Sequence, residues 1–141
     1  MQRILVGYDG TDESIRALEF AAHLLFDGSA STQLPEFHLA YILEEPRGIS
    51  DPVPDEVMES LHRTGEEILS NGSRVVKKQF GKSLTHLDFG SPPEKLLEIA
   101  ERLHPDLIVI GIRRHTTSEK ILGSVSSLLL KTRKYAVLVV P

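Results

Sequence analysis

Apolar positions along the chain fall into five compact runs, and the segments between them carry a helical period. Arg3-Ile4-Leu5-Val6-Gly7-Tyr8 is rich in β-formers and lacks a helical repeat; it ends at the turn and cap cluster Asp9-Gly10-Thr11-Asp12-Glu13-Ser14. Ile15, Leu18, Ala22 and Leu25 then recur three and four apart behind first-turn acids, which predicts an amphipathic helix ending near Asp27-Gly28-Ser29. Phe37 to Leu43 predicts a second strand, largely buried, and the prolines between Glu44 and Pro54 predict a loop. Val57, Leu61, Ile68, Leu69 and Val75 mark a helix from Asp55 to about Lys78, with a break expected at Asn71-Gly72.

The second half repeats this rhythm. Leu84 to Phe89 predicts a strand that stops at Gly90-Ser91-Pro92-Pro93, where Ser91 is placed to cap a helix and Pro92 to begin it. That helix runs to about Leu103 on a stripe of Leu96, Leu97, Ile99, Ala100 and Leu103. Leu107 to Ile110, between Asp106 and Gly111, holds no polar side chain, the pattern of a strand buried on both faces. After a polar loop from Ile112 to Lys120, Ile121 onward predicts a helix through Arg133, and Ala136 to Val140 a fifth strand. Strand and helix alternating in this way predict a single α/β domain over residues 1–141, a doubly wound, Rossmann-like parallel sheet with helices on both faces.

Composition narrows the function. The 141 residues fit one domain, and 40% hydrophobic with 26% charged residues is an ordinary globular mixture. Net charge is −4 with His neutral, so no basic field attracts nucleic acid or anionic lipid; the basic groups Arg113-Arg114 and Lys131/Arg133/Lys134 read as solvated faces. The absence of cysteine removes disulfides, thiolate metal sites and thiol nucleophiles together, and fits a reducing, cytoplasmic location. No apolar run approaches the ~20 residues a membrane helix needs. No basic region with a cleavage site precedes the first strand, so a signal peptide is not expected. The six histidines are scattered without metal-ligand spacing, and no nucleophile–base pair is legible.

In open parallel sheets ligands bind beyond the carboxyl ends of the strands, where the strand order reverses. Asp9 follows the first strand, Ile42 to Glu44 closes the second, and Gly111 follows the fourth. Gly123-Ser124-Val125-Ser126 opens a helix, whose N-terminus offers N–H groups and partial positive charge to a phosphate. Each feature also has an ordinary structural role. A Gly-Ser pair caps helices, Asp9 can cap the first helix, and Arg113, Arg114 and His115 can be solvated loop residues.

These segments together resemble the universal stress protein family over nearly the whole chain. The likeness lies in Ile4 to Asp9 with Ser14, Ala17 and Ala21, in Phe37 to Leu43, in Gly90-Ser91-Pro92, in Asp106 to Gly111, in Leu122 to Ser126, and in Ala136 to Pro141. The resemblance implies strand order 3-2-1-4-5 and a homodimer paired through the last strand, Ala136 to Val140; an apolar edge strand left bare is an aggregation hazard. Members that bind ATP carry Gly-x-x-Gly, nine residues, then Gly-Ser or Gly-Thr. Gly111 matches the first glycine and Gly123-Ser124 the last pair, but Arg114 stands at the second glycine and eight residues separate it from Gly123. Asp9 matches the acidic position at the adenosine and Ile42 the apolar position beside the base, while Ile110, Val125 and Ser126 match positions near the nucleotide. Arg113 belongs to the same segment. A glycine at 114 would let backbone approach phosphate, whereas Arg offers charge-assisted bonds of its own.

The expectation is a dimeric module of the stress response that binds ATP or AMP, with Mg²⁺ if the nucleotide is turned over, and that is at most a slow ATP hydrolase. The alternative is a member that takes no nucleotide and serves as a dimerisation or protein-interaction module. A pyrophosphatase-loop enzyme is a weaker third reading, because Asp9 to Ser14 lacks that class's double glycine. A phosphoacceptor receiver is not expected, since no Lys follows the fifth strand. Neither nucleic acid nor membrane is expected as a partner.

Overall fold

A computed structural model describes residues 3–26, 34–44, 53–80, 83–112 and 123–141. Its elements are β1 (Arg3–Gly7), α1 (Asp12–Leu25), β2 (Glu36–Leu43), α2 (Asp55–Phe80), β3 (Ser83–Phe89), α3 (Pro92–Leu103), β4 (Leu107–Gly111), α4 (Ser124–Thr132) and β5 (Val137–Val140). The five strands form one sheet in the order β3-β2-β1-β4-β5, every neighbouring pair parallel.

Alternation along each strand divides the core into two layers. Ile4, Val6, Phe37, Leu39 and Val109 point to one face, where Ala17, Leu18, Ala21 and Ala22 of α1 and Leu69 and Val76 of α2 cover them. Leu5, Ala40, Ile108 and Ile110 point to the other, under Leu96, Ile99 and Ala100 of α3 and Leu129 of α4. β4 supplies both layers from successive residues, which is why its sequence is apolar without alternation.

The break expected at Asn71-Gly72 does not occur: α2 is one continuous helix of 26 residues. Gly72 is there for packing. A Cβ on it would meet Cε1 of Tyr8 at 2.8 Å and Cδ1 of Leu39 at 3.0 Å, and one on Gly65, two turns earlier, would meet Cδ1 of Leu87 at 2.8 Å. The two glycines let α2 lie close on β2 and β3, and tertiary contact outweighs the propensity cost of about 1 kcal/mol each.

Helix ends show smaller differences. Ser91 occupies the N-cap of α3 but its side chain makes no capping bond; Pro92 still opens the helix as expected. α4 ends at Thr132 rather than Arg133, because Arg133 turns left-handed at φ 57°. β2 begins one residue before Phe37, and β5 one after Ala136. The expected turn at Gly28 lies outside the described residues, as do most of the Glu44–Pro54 loop and Ile121-Leu122. Among the described residues no helix is long and apolar enough to cross a membrane.

Candidate functional site

β1 lies between β2 and β4, so the chain's path through the sheet reverses beside it. At this reversal a cavity of about 680 Å³ opens beyond the strands' carboxyl ends, within the few hundred to 1,000 Å³ usual for small-molecule sites. It is lined from every direction that the sequence pointed to. Asp9 comes from the end of β1, Ile42 from β2, Ile110 and Gly111 from β4, and Gly123, Ser124, Val125 and Ser126 from the start of α4. Arg113, Arg114 and His115 lie outside the described residues.

The β1–α1 turn holds Asp9 in a fixed orientation. Gly10 takes a positive φ of 79°, and the chain turns back so that Asp9 Oδ1 accepts from the Thr11 amide at 3.0 Å and the Thr11 hydroxyl at 2.6 Å. Thr11, not Asp9, caps α1: its Oγ1 accepts from the amide of Ser14 at 3.3 Å. Ser14 Oγ donates to the Thr11 carbonyl at 3.0 Å and accepts from the Asp9 amide at 3.3 Å. The result is a closed network in which the capping of a helix and the aiming of a carboxylate depend on the same hydroxyl.

On the opposite wall Gly123 is the N-cap of α4, with extended backbone and no capping side chain. Its carbonyl accepts from the Ser127 amide and from the Ser126 hydroxyl, both at 3.0 Å. The Ser126 hydroxyl proton is therefore used within the helix. The first-turn amides of Ser124, Val125 and Ser126 precede the first intrahelical donor and have no partner in the helix itself. Among the described residues, a Cβ on Gly123 would meet nothing within 4 Å, so none of them crowds this position.

Sequence reading missed part of the lining: Tyr8, Thr11, Glu13, Ser14, Tyr41, Pro92 and Leu96. Thr11 and Ser14 read only as turn formers, and Pro92 and Leu96 as a helix start and a core residue. Among the described lining residues the charged side chains are Asp9, Glu13 and Glu44, all acidic. Burial, and then the charges of Asp9 and Glu19, push the Tyr8 hydroxyl above its usual range, so it remains a neutral phenol. Among the described residues no group of three His, Asp or Glu side chains is placed to hold a metal ion.

The sequence and the fold have counterparts among known proteins. The chain is 32% identical over 138 residues to universal stress protein G of Shigella flexneri, covering 92% of this chain and 88% of that protein. Its fold matches the solved structure of the hypothetical protein MJ0577 with a TM-score of 0.81 at 23% identity, over 99% of this chain and 94% of that one. A universal stress protein in complex with cAMP matches at TM-score 0.71 and 24% identity, over 99% and 97% of the two chains. The Arabidopsis thaliana family protein At3g01520, solved with AMP bound, matches at TM-score 0.70 and 16% identity, over 99% and 91%. The family model described as "Universal stress protein family" matches residues 1–141. From its strand order to its first and last residues, the chain belongs to the universal stress protein family.

Proposed function

We propose that the chain is a regulatory module that binds an adenine nucleotide in the cavity at the end of β1 and β4. The carrying observation is the convergence of Asp9, Ile42, Ile110, Gly111 and Gly123 to Ser126 on that one cavity. Apolar Ile42 and Ile110 suit the base, Asp9 suits the ribose hydroxyls, and the N-terminus of α4 suits a phosphate. The AMP and cAMP complexes of structural relatives support the ligand class. With three acids in the described lining, ATP would carry its charge into the site as a Mg²⁺ complex, with Arg113 and Arg114 as the expected basic counterpart. The protomer would pair with a second copy along β5, the outer strand beside β4, and would work in the cytoplasm.

The test is calorimetric titration with ATP, AMP and cAMP, with and without Mg²⁺, on protein first denatured in aliquot and assayed for co-purified nucleotide. Saturable binding is expected for the parent chain and loss of it for Gly123→Asn, which fills the open space while still capping α4. Undiminished affinity in that variant would remove Gly123 from the site. The acidic lining favours a second reading, an interaction module without nucleotide. That reading predicts neither co-purified nucleotide nor heat.

A further inference from the structure

On the α3 face of the sheet, toward the amino-terminal half of β2, β2 and β3 bring together three titratable side chains, two from β2 and one from β3. His38 is buried at 4% exposure, while Glu36 and His86 are partly open to solvent. His38 Nδ1 lies 2.8 Å from His86 Nε2, and His38 Nε2 lies 2.5 Å from Glu36 Oε1. The two imidazoles are 5.1 Å apart between centroids at an interplanar angle of 27°. We propose that Glu36, His38 and His86 form a proton-sensitive latch that ties the edge strand β3 to β2 and loosens when His86 is protonated.

Hydrogen-bond chemistry sets this limit. A contact between two ring nitrogens at 2.8 Å holds one proton: one nitrogen donates and the other offers its lone pair. Two arrangements satisfy it. Both rings are neutral with His86 donating, or His38 is the imidazolium between Glu36 and the lone pair of a neutral His86. A second proton puts two N–H groups head to head between two cations, and the ring on the edge strand is the one free to swing outward.

The surroundings oppose that second proton. Arg102 of α3 places its positive charge toward His86, and Lys95 and Glu98 on the same helix pair with each other at 3.3 Å. From β1, Arg3 approaches Glu36 at 3.6 Å and shares its negative charge. On β3, Asp88 Oδ1 accepts from the Phe89 amide at 2.8 Å. The helix α2 packs on the other face of the sheet. Burial first, and then His38 and Arg102, hold His86 below the ordinary histidine value. The unfolded or released strand therefore binds more protons than the latched one. The latch is complete above about pH 6.5 and is lost as pH falls below it.

β3 is an outermost strand, paired with β2 from Ser83 to Phe89 and covered on one face by α2, and the latch adds to that hold; the inner strands β1 and β4 are paired on both sides. Amide hydrogen exchange on the intact chain, followed by NMR from about pH 8 to about pH 5 and corrected for intrinsic exchange, tests the latch. Protection of the β3 amides is expected to fall up to tenfold for each pH unit below about 6.5, the limit for one proton, while β1 and β4 hold theirs. In His86→Gln, which keeps a hydrogen-bonding group but does not titrate, that dependence is expected to vanish. Flat β3 protection in the parent chain overturns the proposal. So does an equal loss in all strands, which would place the titration in global unfolding, or an unchanged profile in His86→Gln. Should that variant not fold, the ring nitrogens of His38 and His86 can be titrated by ¹⁵N NMR in the parent chain. One shared proton above about pH 6.5 supports the latch, and two independent ordinary histidines overturn it.

Discussion

A Cβ built on Gly111 would lie 2.6 Å from the carbonyl oxygen of Glu13, so the first turn of α1 rests directly on the end of β4. The glycine that a motif reading assigns to a ligand is thus also required by the protein's own packing. At Gly123, across the same cavity, an added Cβ would meet nothing within 4 Å among the described residues.

These two glycines are expected to separate in a denaturation experiment. Gly111→Ala forces backbone apart and should cost about 1–3 kcal/mol, as overpacked sites do. Gly123→Asn adds a favoured N-cap in open space and should change stability by no more than about 1 kcal/mol, toward greater stability. Urea midpoints at constant slope measure both. Equal losses would mean that the α4 terminus is packed more tightly than its contacts indicate.

Gly72 allows a contest between propensity and packing. Ala in place of a helical glycine gains up to about 1 kcal/mol where it is exposed. Here the new methyl would press on the buried ring of Tyr8 at 2.8 Å and on Leu39 at 3.0 Å. Overpacking of about 1–3 kcal/mol should win, so Gly72→Ala is expected to lower the midpoint. A raised midpoint would show that α2 can lift from the sheet without loss.

Gly72 also marks where sequence reading stops. Periodicity located all nine elements of the described residues, because each helix buries one stripe and β4 buries both faces. It misjudged Gly72, since a glycine chosen for close approach to Tyr8 looks the same in sequence as one chosen to break a helix. The strand-end rule places Asp9, Ile42 and Gly111 at one edge, and the helix-start pattern adds Gly123. It could not show that Thr11 holds the Asp9 carboxylate, because the bond runs backward through a turn. His38 and His86 passed as scattered for a different reason. They lie 48 residues apart, and only the β2–β3 register, with His86 opposite Ala40, makes them neighbours.

Tyr8 predicts behaviour in alkali. Its hydroxyl holds its proton more tightly in the folded chain than the ordinary phenol value of 10.0, owing to burial and then to Asp9 and Glu19. The folded state therefore binds more protons than the unfolded one as pH rises past 10.0. The stability this contributes is full below that value and is lost above it. Tyr8→Phe should flatten the alkaline limb of the stability curve, and the phenolate absorbance of the variant should lose one step above the ordinary phenol value. Coincident alkaline limbs for the two proteins would show that Tyr8 does not sense the charges beside it.

Thr11 connects fold to site most directly, because one hydroxyl accepts from the Ser14 amide and donates to Asp9 Oδ1. Thr11→Ala removes the cap of α1 and should cost about 1 kcal/mol of stability. It also leaves Asp9 with only the Thr11 amide from this residue, so the carboxylate gains freedom that ligand binding must then remove. Affinity for an adenine nucleotide is expected to weaken by up to about tenfold, or 1.4 kcal/mol. Thr11→Ser keeps the hydroxyl and should restore both quantities. The paired measurement is decisive because the two losses have separate causes. If alanine lowers stability alone, Thr11 is a cap and Asp9 needs no orientation. If serine restores stability but not affinity, the threonine methyl, rather than its hydroxyl, shapes the cavity wall.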